Sequence, residues 1–195
     1  MTVPKTVYDS ISEILREFPQ AGQYLRKCFL VGSTIIGEEK TWSNDNDIDF
    51  YYYENSSKRR KNLNKLIEIV SSRESGLDFD FLQLISTDNY RSIIEPEKKL
   101  TRHVFEDKRD CFSEKKGVMR FLNLDGFFIT KLASMCDRHS ENDYKALEAV
   151  YKMLTGFSPG NKENDRALSP EIQDTIKEFQ LEECLDMVHS HCNQH

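Results

Sequence analysis

The sequence of 195 residues lacks the features that mark membrane and secreted proteins. No apolar run approaches the roughly 20 residues needed to cross a bilayer, and residues 1–10 lack the apolar core of a signal peptide. The five cysteines are odd in number and contain no CxxC pair, which disfavours a disulfide framework and a structural zinc site. We therefore expect a soluble, cytoplasmic protein with no membrane partner.

The composition favours a folded chain. Hydrophobic residues make up 38% of it, and 12 Phe and 8 Tyr supply large side chains for a core, beside a single Trp. A chain with that much apolar surface can offset the conformational entropy lost on folding, so wholesale disorder is disfavoured. The length suits one compact domain, or one domain with a helical extension.

Charge is unevenly distributed along the chain. The net charge of -6 argues against a protein that coats nucleic acid indiscriminately. Between Lys98 and Arg120, however, eight basic side chains stand against four acidic ones, and from Glu141 onward eleven acidic side chains stand against five basic ones. A basic middle followed by an acidic tail is compatible with a polyanionic partner such as RNA on one face, and equally with a solvated surface.

Periodicity predicts strands in the first half of the chain and helices in the second. Apolar residues at helical spacing alternate with short β-branched or aromatic runs. The predicted elements are a helix around residues 7–18, strands at 28–31, 48–53 and 77–85, a crossover helix over 57–71, and helices over 124–135 and 144–154. This order predicts an α/β (α+β) fold, a short mixed sheet flanked by helices, with a catalytic domain over 1–118 and a helical domain over 119–195.

The C-terminal region predicts one last helix. Ser169 followed by Pro170 is typical of a cap with proline at the first helical position. We expect this helix to carry Ile172, Phe179 and Val188 on its apolar face. The four His and Cys side chains within residues 189–195 are potential metal ligands, but a mobile terminus is the favoured interpretation.

The most informative stretch covers residues 29–50. Its first strand ends in Gly32 and Ser33, where glycine lets the backbone approach an anion closely and the serine hydroxyl adds a donor. The second strand opens with Asp47 and Asp49, which lie on one strand face about 6.6 Å apart along it. Two carboxylates at that spacing suit a pair of Mg²⁺ ions, which prefer oxygen ligands and often retain substrate phosphates.

A third carboxylate is available on the next predicted strand, from Asp78 or Asp80. The apolar residues around Asp80 favour it, although the choice stays open. A calcium-binding EF-hand is disfavoured, because Phe50 and Ser56 stand where that loop needs Gly and Glu. A phosphate cradle beside paired aspartates indicates nucleoside triphosphate chemistry.

These residues resemble a known signature. Gly32-Ser33 and the later Asp47-x-Asp49 resemble the G-S/T…D-x-D pattern of the DNA polymerase β-like nucleotidyltransferases. Downstream, residues 125–133, DGFFITKLA, resemble a motif of the AbiEii/MenA-type toxin nucleotidyltransferases, and residues 142–147, NDYKAL, resemble their R-D-x-x-D-L motif. The last motif departs from the family pattern, with Asn in place of its Arg and Ala in place of its second Asp.

The resemblance implies a nucleotidyltransferase fold and an enzyme that moves a nucleoside monophosphate from a triphosphate to an acceptor hydroxyl, releasing pyrophosphate. Asp47, Asp49 and Asp80 would bind two Mg²⁺ ions and serve catalysis. Gly32 and Ser33 would grip the triphosphate. Each of these residues also has an ordinary structural interpretation as a turn or strand residue.

Two helical residues acquire roles only through the resemblance. Lys131 would reach the triphosphate, and Asp143 would be a further catalytic carboxylate. The alternatives are a lysine that extends its ammonium from an apolar face to solvent and an acid favoured by the dipole of the first helical turn.

The acceptor is left open. By resemblance it is the 3′ end of a tRNA, which would make the protein a toxin or phage-defence component with a cognate antitoxin as partner. A small molecule such as an aminoglycoside, or a hydroxyl on a protein, would use the same aspartates. A catalytically silent nucleotide-binding module is the alternative from another class. The sequence does not identify the base of the triphosphate or the oligomeric state.

Overall fold

The computed structural model describes residues 5–31, 48–54, 56–72, 79–83, 99–100 and 102–193. Gly32, Ser33, Asp47 and Asp78 lie outside these ranges, so the predictions made for them stay predictions. The chain divides into two compact units, Met1–Arg91 with Ser113–Leu122, and Ser92–Phe112 with Asn123–His195. Within the described ranges, no helix is both long enough and apolar enough to span a bilayer.

Helices of the first unit follow the predicted pattern. They are α1 (Lys5–Glu17), a 3₁₀ turn (Pro19–Ala21), α2 (Gly22–Leu25) and α3 (Arg59–Ser71). Val7, Ile11 and Ile14 recur at helical spacing in α1 and are buried. The predicted first helix and the crossover helix α3 are therefore confirmed.

The sheet of the first unit has five strands. They are β1 (Cys28–Leu30), β2 (Ile48–Tyr52), β3 (Phe79–Gln83), β4 (Ser113–Lys116) and β5 (Met119–Leu122). Their order is β3-β2-β1-β5-β4. β1 pairs antiparallel with β2 and parallel with β5, β2 pairs parallel with β3, and β4 pairs antiparallel with β5. The predicted mixed sheet and the mixed α/β class are confirmed.

The β4–β5 hairpin is the part of the sheet that the sequence does not predict. It lies largely within the basic stretch, and three of the four residues of β4 are exposed. The local sequence of β4 therefore resembles that of a solvated segment. Gly117 makes the turn with φ of 64°, a conformation that glycine adopts without strain. The predicted domain boundary after residue 118 falls in this turn, and the hairpin as a whole belongs to the first unit.

The second unit is helical. It contains a π-helix (His103–Asp107), α4 (Arg109–Phe112), α5 (Leu124–Arg138), α6 (Glu141–Thr155), a 3₁₀ helix (Lys162–Ala167), α7 (Pro170–Glu178) and α8 (Glu182–Cys192). Helix α5 packs against α6, α7 and α8. A disulfide between Cys136 of α5 and Cys184 of α8 joins two of these helices. The cysteine spacing did not predict this bond, which is a single cross-link rather than a framework.

The predicted last helix is wrong in its length. The Ser169 hydroxyl accepts a hydrogen bond from the Ile172 amide and Pro170 opens α7, so the predicted start is confirmed. The helix ends at Glu178, and Gln180 takes a left-handed conformation with φ of 56°, which a non-glycine residue rarely adopts. The chain then begins α8, and two helices replace the predicted one.

His189 is part of the core rather than of a mobile tail. His189 lies in α8 with 2% of its surface exposed. Its Nε2 lies 3.0 Å from Asp165 Oδ2, while the Tyr151 hydroxyl donates to Asp165 Oδ1 at 2.7 Å. The prediction of a mobile terminus is therefore wrong for residues 189–192. Asp165 connects α6, the 3₁₀ helix and α8.

Candidate functional site

Two of the predicted metal-binding positions face each other in the backbone ladder of the first unit. In the parallel pairing of β2 with β3, the Cα atom of Asp49 is the partner of the Cα atom of Asp80. Neighbouring strands lie about 4.8 Å apart. The Asp49 side chain is half-buried, and for Asp80 the structure describes the backbone alone.

A backbone hydrogen bond connects Asp49 to Val31, the residue that follows β1. The Val31 amide donates to the carbonyl oxygen of Asp49 at 2.9 Å. Val31 immediately precedes Gly32 in the sequence. The described part of β1 therefore ends beside Asp49, just before the predicted Gly-Ser phosphate cradle.

Several hydrogen-bond donors surround one carboxylate, that of Glu54, just after the end of β2. Glu54 accepts hydrogen bonds from Lys27 at 2.6 Å, from the Tyr52 hydroxyl at 2.6 Å and from Ser56 at 2.8 Å. Asn62 of α3 donates to both Glu54 oxygens, at 3.1 and 3.0 Å. Burial alone would raise the pKa of Glu54, but these donors outweigh it and lower the pKa to about 2. Glu54 therefore stays charged at neutral pH, and its hydrogen bonds fix the end of the strand that carries Asp49.

The second unit brings Lys131 and Asp143 together. Lys131 lies on α5 beside the buried Phe128 and Leu132, and Asp143 is the third residue of α6. The Lys131 ammonium forms an ion pair with Asp143 Oδ1. The Asp143 side chain is 7% exposed and the Lys131 side chain 28% exposed. The two residues that the resemblance selects are therefore direct partners.

Asp143 is incompletely hydrogen-bonded. Its Oδ2 atom is buried and has no hydrogen-bond partner within the described residues. A first-turn position favours a negative charge through the helix dipole. The dipole does not replace the missing hydrogen bond, which costs about 1–3 kcal/mol when a buried polar group is left unpaired. The oxygen is thus an open acceptor for an N–H or O–H group of a ligand.

Another acid of the family-like motifs has a structural role. Asp125 Oδ2 accepts a hydrogen bond from the Ser169 hydroxyl at 2.6 Å. Because Ser169 also caps α7, the contact joins the beginning of α5 to the beginning of α7. The carboxylate of Asp125 therefore contributes to helix packing rather than to an open site.

A polar cavity around His103 was not recognised from the sequence. The segment at residues 99–107 and the end of α7 contribute its walls. These segments are far apart in the sequence, and only the helical packing brings them together. The one local signal is a histidine within the basic stretch.

Within the described ranges, no three His, Cys, Asp or Glu side chains form a group that could hold a metal ion. Of the predicted metal ligands, Asp47 lies outside these ranges and Asp80 is described by its backbone alone.

No protein-family model, curated protein or solved structure matches the chain. The family resemblance therefore depends on the short motifs quoted above.

Proposed function

We propose that this protein is a Mg²⁺-dependent nucleotidyltransferase with a nucleotidyltransferase fold. The register of β2 and β3 is the observation that carries the proposal, because Asp49 and Asp80 were selected on chemical grounds and are backbone partners. The ion pair of Lys131 with Asp143 supports it, since the resemblance selected both residues from separate motifs.

The donor set fits a hard divalent cation. Asp49 and Asp80 offer carboxylate oxygens from neighbouring strands in register. Asp47 precedes Asp49 by two residues, which is the spacing of one strand face. These three aspartates would hold the ions. When bound, Mg²⁺ would neutralise charge on the triphosphate and lower the pKa of the acceptor hydroxyl.

In the proposed reaction, the acceptor oxygen attacks the α-phosphorus of the nucleoside triphosphate. A phosphorus–oxygen bond forms to the acceptor, the bond to the β-phosphate oxygen breaks, and pyrophosphate leaves. Asp80 accepts the proton of the hydroxyl. Gly32 and Ser33 bind the outer phosphates through the backbone amide and the hydroxyl.

Lys131 contributes a positive charge to the triphosphate in this proposal. Asp143 holds the ammonium in place through Oδ1, and its free Oδ2 accepts a hydrogen bond from the bound substrate. The Lys131 side chain, which is 28% exposed, can move to meet a ligand, whereas the buried Asp143 keeps its position.

The test is transfer of label from each α-labelled triphosphate, with Mg²⁺, to three sets of acceptors: total cellular RNA, a panel of aminoglycosides, and protein. The Asp49→Asn variant is expected to lose transfer, because it removes one proposed metal ligand. The Asp174→Asn variant changes an exposed carboxylate on α7 and should keep full activity.

The labelled acceptor then identifies the biological role. Label on the 3′ end of tRNA would support the toxin-type function, and label on an aminoglycoside or a protein would support the corresponding alternative. Absence of transfer to every acceptor would overturn the proposal. In that case, retained binding of triphosphate would favour the silent nucleotide-binding module.

A further inference from the structure

The second unit contains a polar cavity lined by none of the residues assigned to nucleotidyl transfer. Its volume of about 640 Å³ is in the range of small-molecule binding sites. One wall is the segment with Lys99 and the π-helix, and the other is the end of α7 with Phe179 and Gln180.

Both walls depart from regular backbone geometry. A π-helix is rare and occurs frequently at functional sites, because it widens the backbone at the cost of regular hydrogen bonding. Gln180, on the other wall, has the left-handed φ of 56° described above. This residue lies just after the end of α7, and the next amide, that of Leu181, donates to the carbonyl oxygen of Ile176 at 2.9 Å.

His103 lines this cavity, and one of its ring nitrogens has no hydrogen-bond partner among the described residues. The residue is 9% exposed, and its Nε2 lies 3.2 Å from Thr175 Oγ1. The Thr175 hydroxyl donates its one hydrogen to the carbonyl of Glu171 at 2.7 Å, so it must accept the hydrogen of His103 Nε2. In the neutral ring, Nδ1 then carries a lone pair. Glu178 Oε2 is 3.9 Å from Nδ1, too far for a hydrogen bond.

Two basic and two acidic side chains line the cavity beside the His103 ring, and one of the basic side chains has no acidic partner within the described part of the chain. Lys99 forms no ion pair with any described residue. The Arg102 side chain is 64% exposed, and its ion-pair contacts with described residues are long, 3.5 Å to Glu106 and 3.7 Å to Asp107. Glu178 lies 3.9 Å from the neutral His103 ring.

We propose that this cavity binds a phosphate monoester. Lys99 and Arg102 donate to the phosphate oxygens, and His103, protonated on Nδ1, donates from the floor. A bound dianion favours the protonated imidazole through its charge. Thr175 keeps accepting from Nε2, so the ring does not need to reorient. Asp107 opposes binding, because it competes for Arg102 and repels the anion.

The charged side chains that line the cavity beside the His103 ring are Lys99, Arg102, Asp107 and Glu178. The rings of Phe112 and Phe179 enclose the imidazole with centroid distances of 6.0 and 5.0 Å. Because the neutral ring carries a lone pair on Nδ1, it must take up a proton before it can donate to the phosphate.

Calorimetric titration tests the proposal with three probes: inorganic phosphate, ribose 5-phosphate and adenosine 5′-monophosphate. EDTA is present throughout, so that a metal-dependent triphosphate site does not contribute. We expect saturable binding of at least one probe, weakened about tenfold by Lys99→Ala, which corresponds to the loss of one charge-assisted hydrogen bond. Lys152→Ala, an exposed lysine of α6, should change nothing, and Asp107→Asn should tighten binding.

The three probes also distinguish the source of the phosphate. Tighter binding of the nucleotide than of ribose 5-phosphate would identify a nucleotide as the ligand, with Phe179 as the base contact. Equal affinity would identify the phosphate group as sufficient.

NMR of the imidazole nitrogens supplies an independent readout at His103. The probe should convert the Nε2–H tautomer to the doubly protonated ring. No saturable binding of any probe, equal affinity in the Lys99→Ala and Lys152→Ala variants, or an unchanged His103 tautomer in the bound state would each overturn the proposal.

Discussion

Each compact unit contains a lysine–carboxylate pair that joins two elements, and the two pairs differ in how completely the acid is hydrogen-bonded. Glu54 of the first unit receives Lys27 and three further side-chain donors, and both of its oxygens are used. Asp143 of the second unit pairs with Lys131 through one oxygen, and the other is buried with no hydrogen-bond partner among the described residues.

This difference separates a structural carboxylate from a candidate functional one. A group retained for stability alone is expected to satisfy its buried oxygens, because each unpaired one costs free energy. A deviation from that rule is expected where a ligand completes the site. Glu54 therefore has a structural role, because it connects β2 to α3 through Tyr52 and Asn62. Asp143 is instead a candidate residue of a binding surface.

Breaking the Asp143 pair from the lysine side should have the largest effect. Lys131→Met leaves a buried carboxylate with neither oxygen paired, and we expect a loss of about 3 kcal/mol in the free energy of unfolding. Urea denaturation measures it. The double variant Lys131→Met/Asp143→Asn should recover most of the loss, because the buried charge is gone.

A neighbouring pair provides the reference for this change. Lys145 and Glu141 are 3.5 Å apart on the same helix as Asp143, and both are exposed. Lys145→Met should cost less than about 0.5 kcal/mol, as expected for a solvent-screened pair. Equal losses in the Lys131→Met and Lys145→Met variants would contradict the interpretation that the Asp143 pair is buried and uncompensated.

Changing the acid itself should separate stability from activity. Asp143→Asn relieves the burial of a charge while Lys131, partly exposed, can turn to solvent, so we expect the free energy of unfolding to change by less than about 1 kcal/mol. In the label-transfer assay, we expect a rate decrease of about 100-fold, since Asp143 no longer holds the Lys131 ammonium in place for the triphosphate. If Asp143→Asn loses stability without a decrease in rate, Asp143 is a structural carboxylate like Glu54.

Glu54→Gln should behave in the opposite way. It weakens several charge-assisted hydrogen bonds at once, and we expect a loss of about 2 kcal/mol in stability. The rate should be unchanged under conditions where the variant is fully folded. Glu68→Gln, at an exposed position of α3, is the matched reference and should be neutral.

The same acid predicts how stability depends on pH. The pKa of Glu54 is lowered from 4.5 to about 2 in the folded chain, so the folded state binds its proton less readily than the unfolded state. Its contribution is therefore fully present above the ordinary pKa of 4.5 and is lost as the pH falls toward 2. Between these values, the stability of the Glu54→Gln variant should fall less steeply than that of the wild type.

Local sequence pattern predicts the elements whose buried residues form a helical repeat or a continuous apolar run. Val7, Ile11 and Ile14 suffice to predict α1, and the apolar run at 28–30 suffices for β1. Local pattern does not predict the β4–β5 hairpin, because β5 pairs with β1, which is distant in the sequence. β5 is stabilised by parallel pairing with β1, at Arg120 opposite Phe29, which no local pattern reveals.

The candidate site shows the same division. Resemblance selects Lys131 and Asp143, but their contact exists because a short connection at residues 139–140 turns α6 back onto α5. The unpaired Asp143 oxygen depends on what packs over it, and that information is tertiary. The disulfide is similar, since Cys136 and Cys184 are separated by 48 residues and only helix packing places their Cα atoms 5.6 Å apart.

The smallest predicted effect extends the comparison to a third carboxylate. Asp165 uses both oxygens, one for the Tyr151 hydroxyl and one for His189, so it resembles Glu54 rather than Asp143. Tyr151→Phe removes one of these donors. Because the Asp165 side chain is 27% exposed, water can replace the lost hydroxyl, and we expect a loss of only about 1 kcal/mol.

A second tyrosine on α6 provides the matched variant for this prediction. Tyr144 stacks on His191 with ring centroids 4.3 Å apart, and its hydroxyl has no recorded partner among the described residues. Tyr144→Phe should therefore leave the urea midpoint unchanged, while Tyr151→Phe lowers it. A Tyr151→Phe loss as large as that of Lys131→Met would mean that water does not reach Asp165. Full hydrogen bonding would then no longer distinguish the structural acids from Asp143 by the size of the loss.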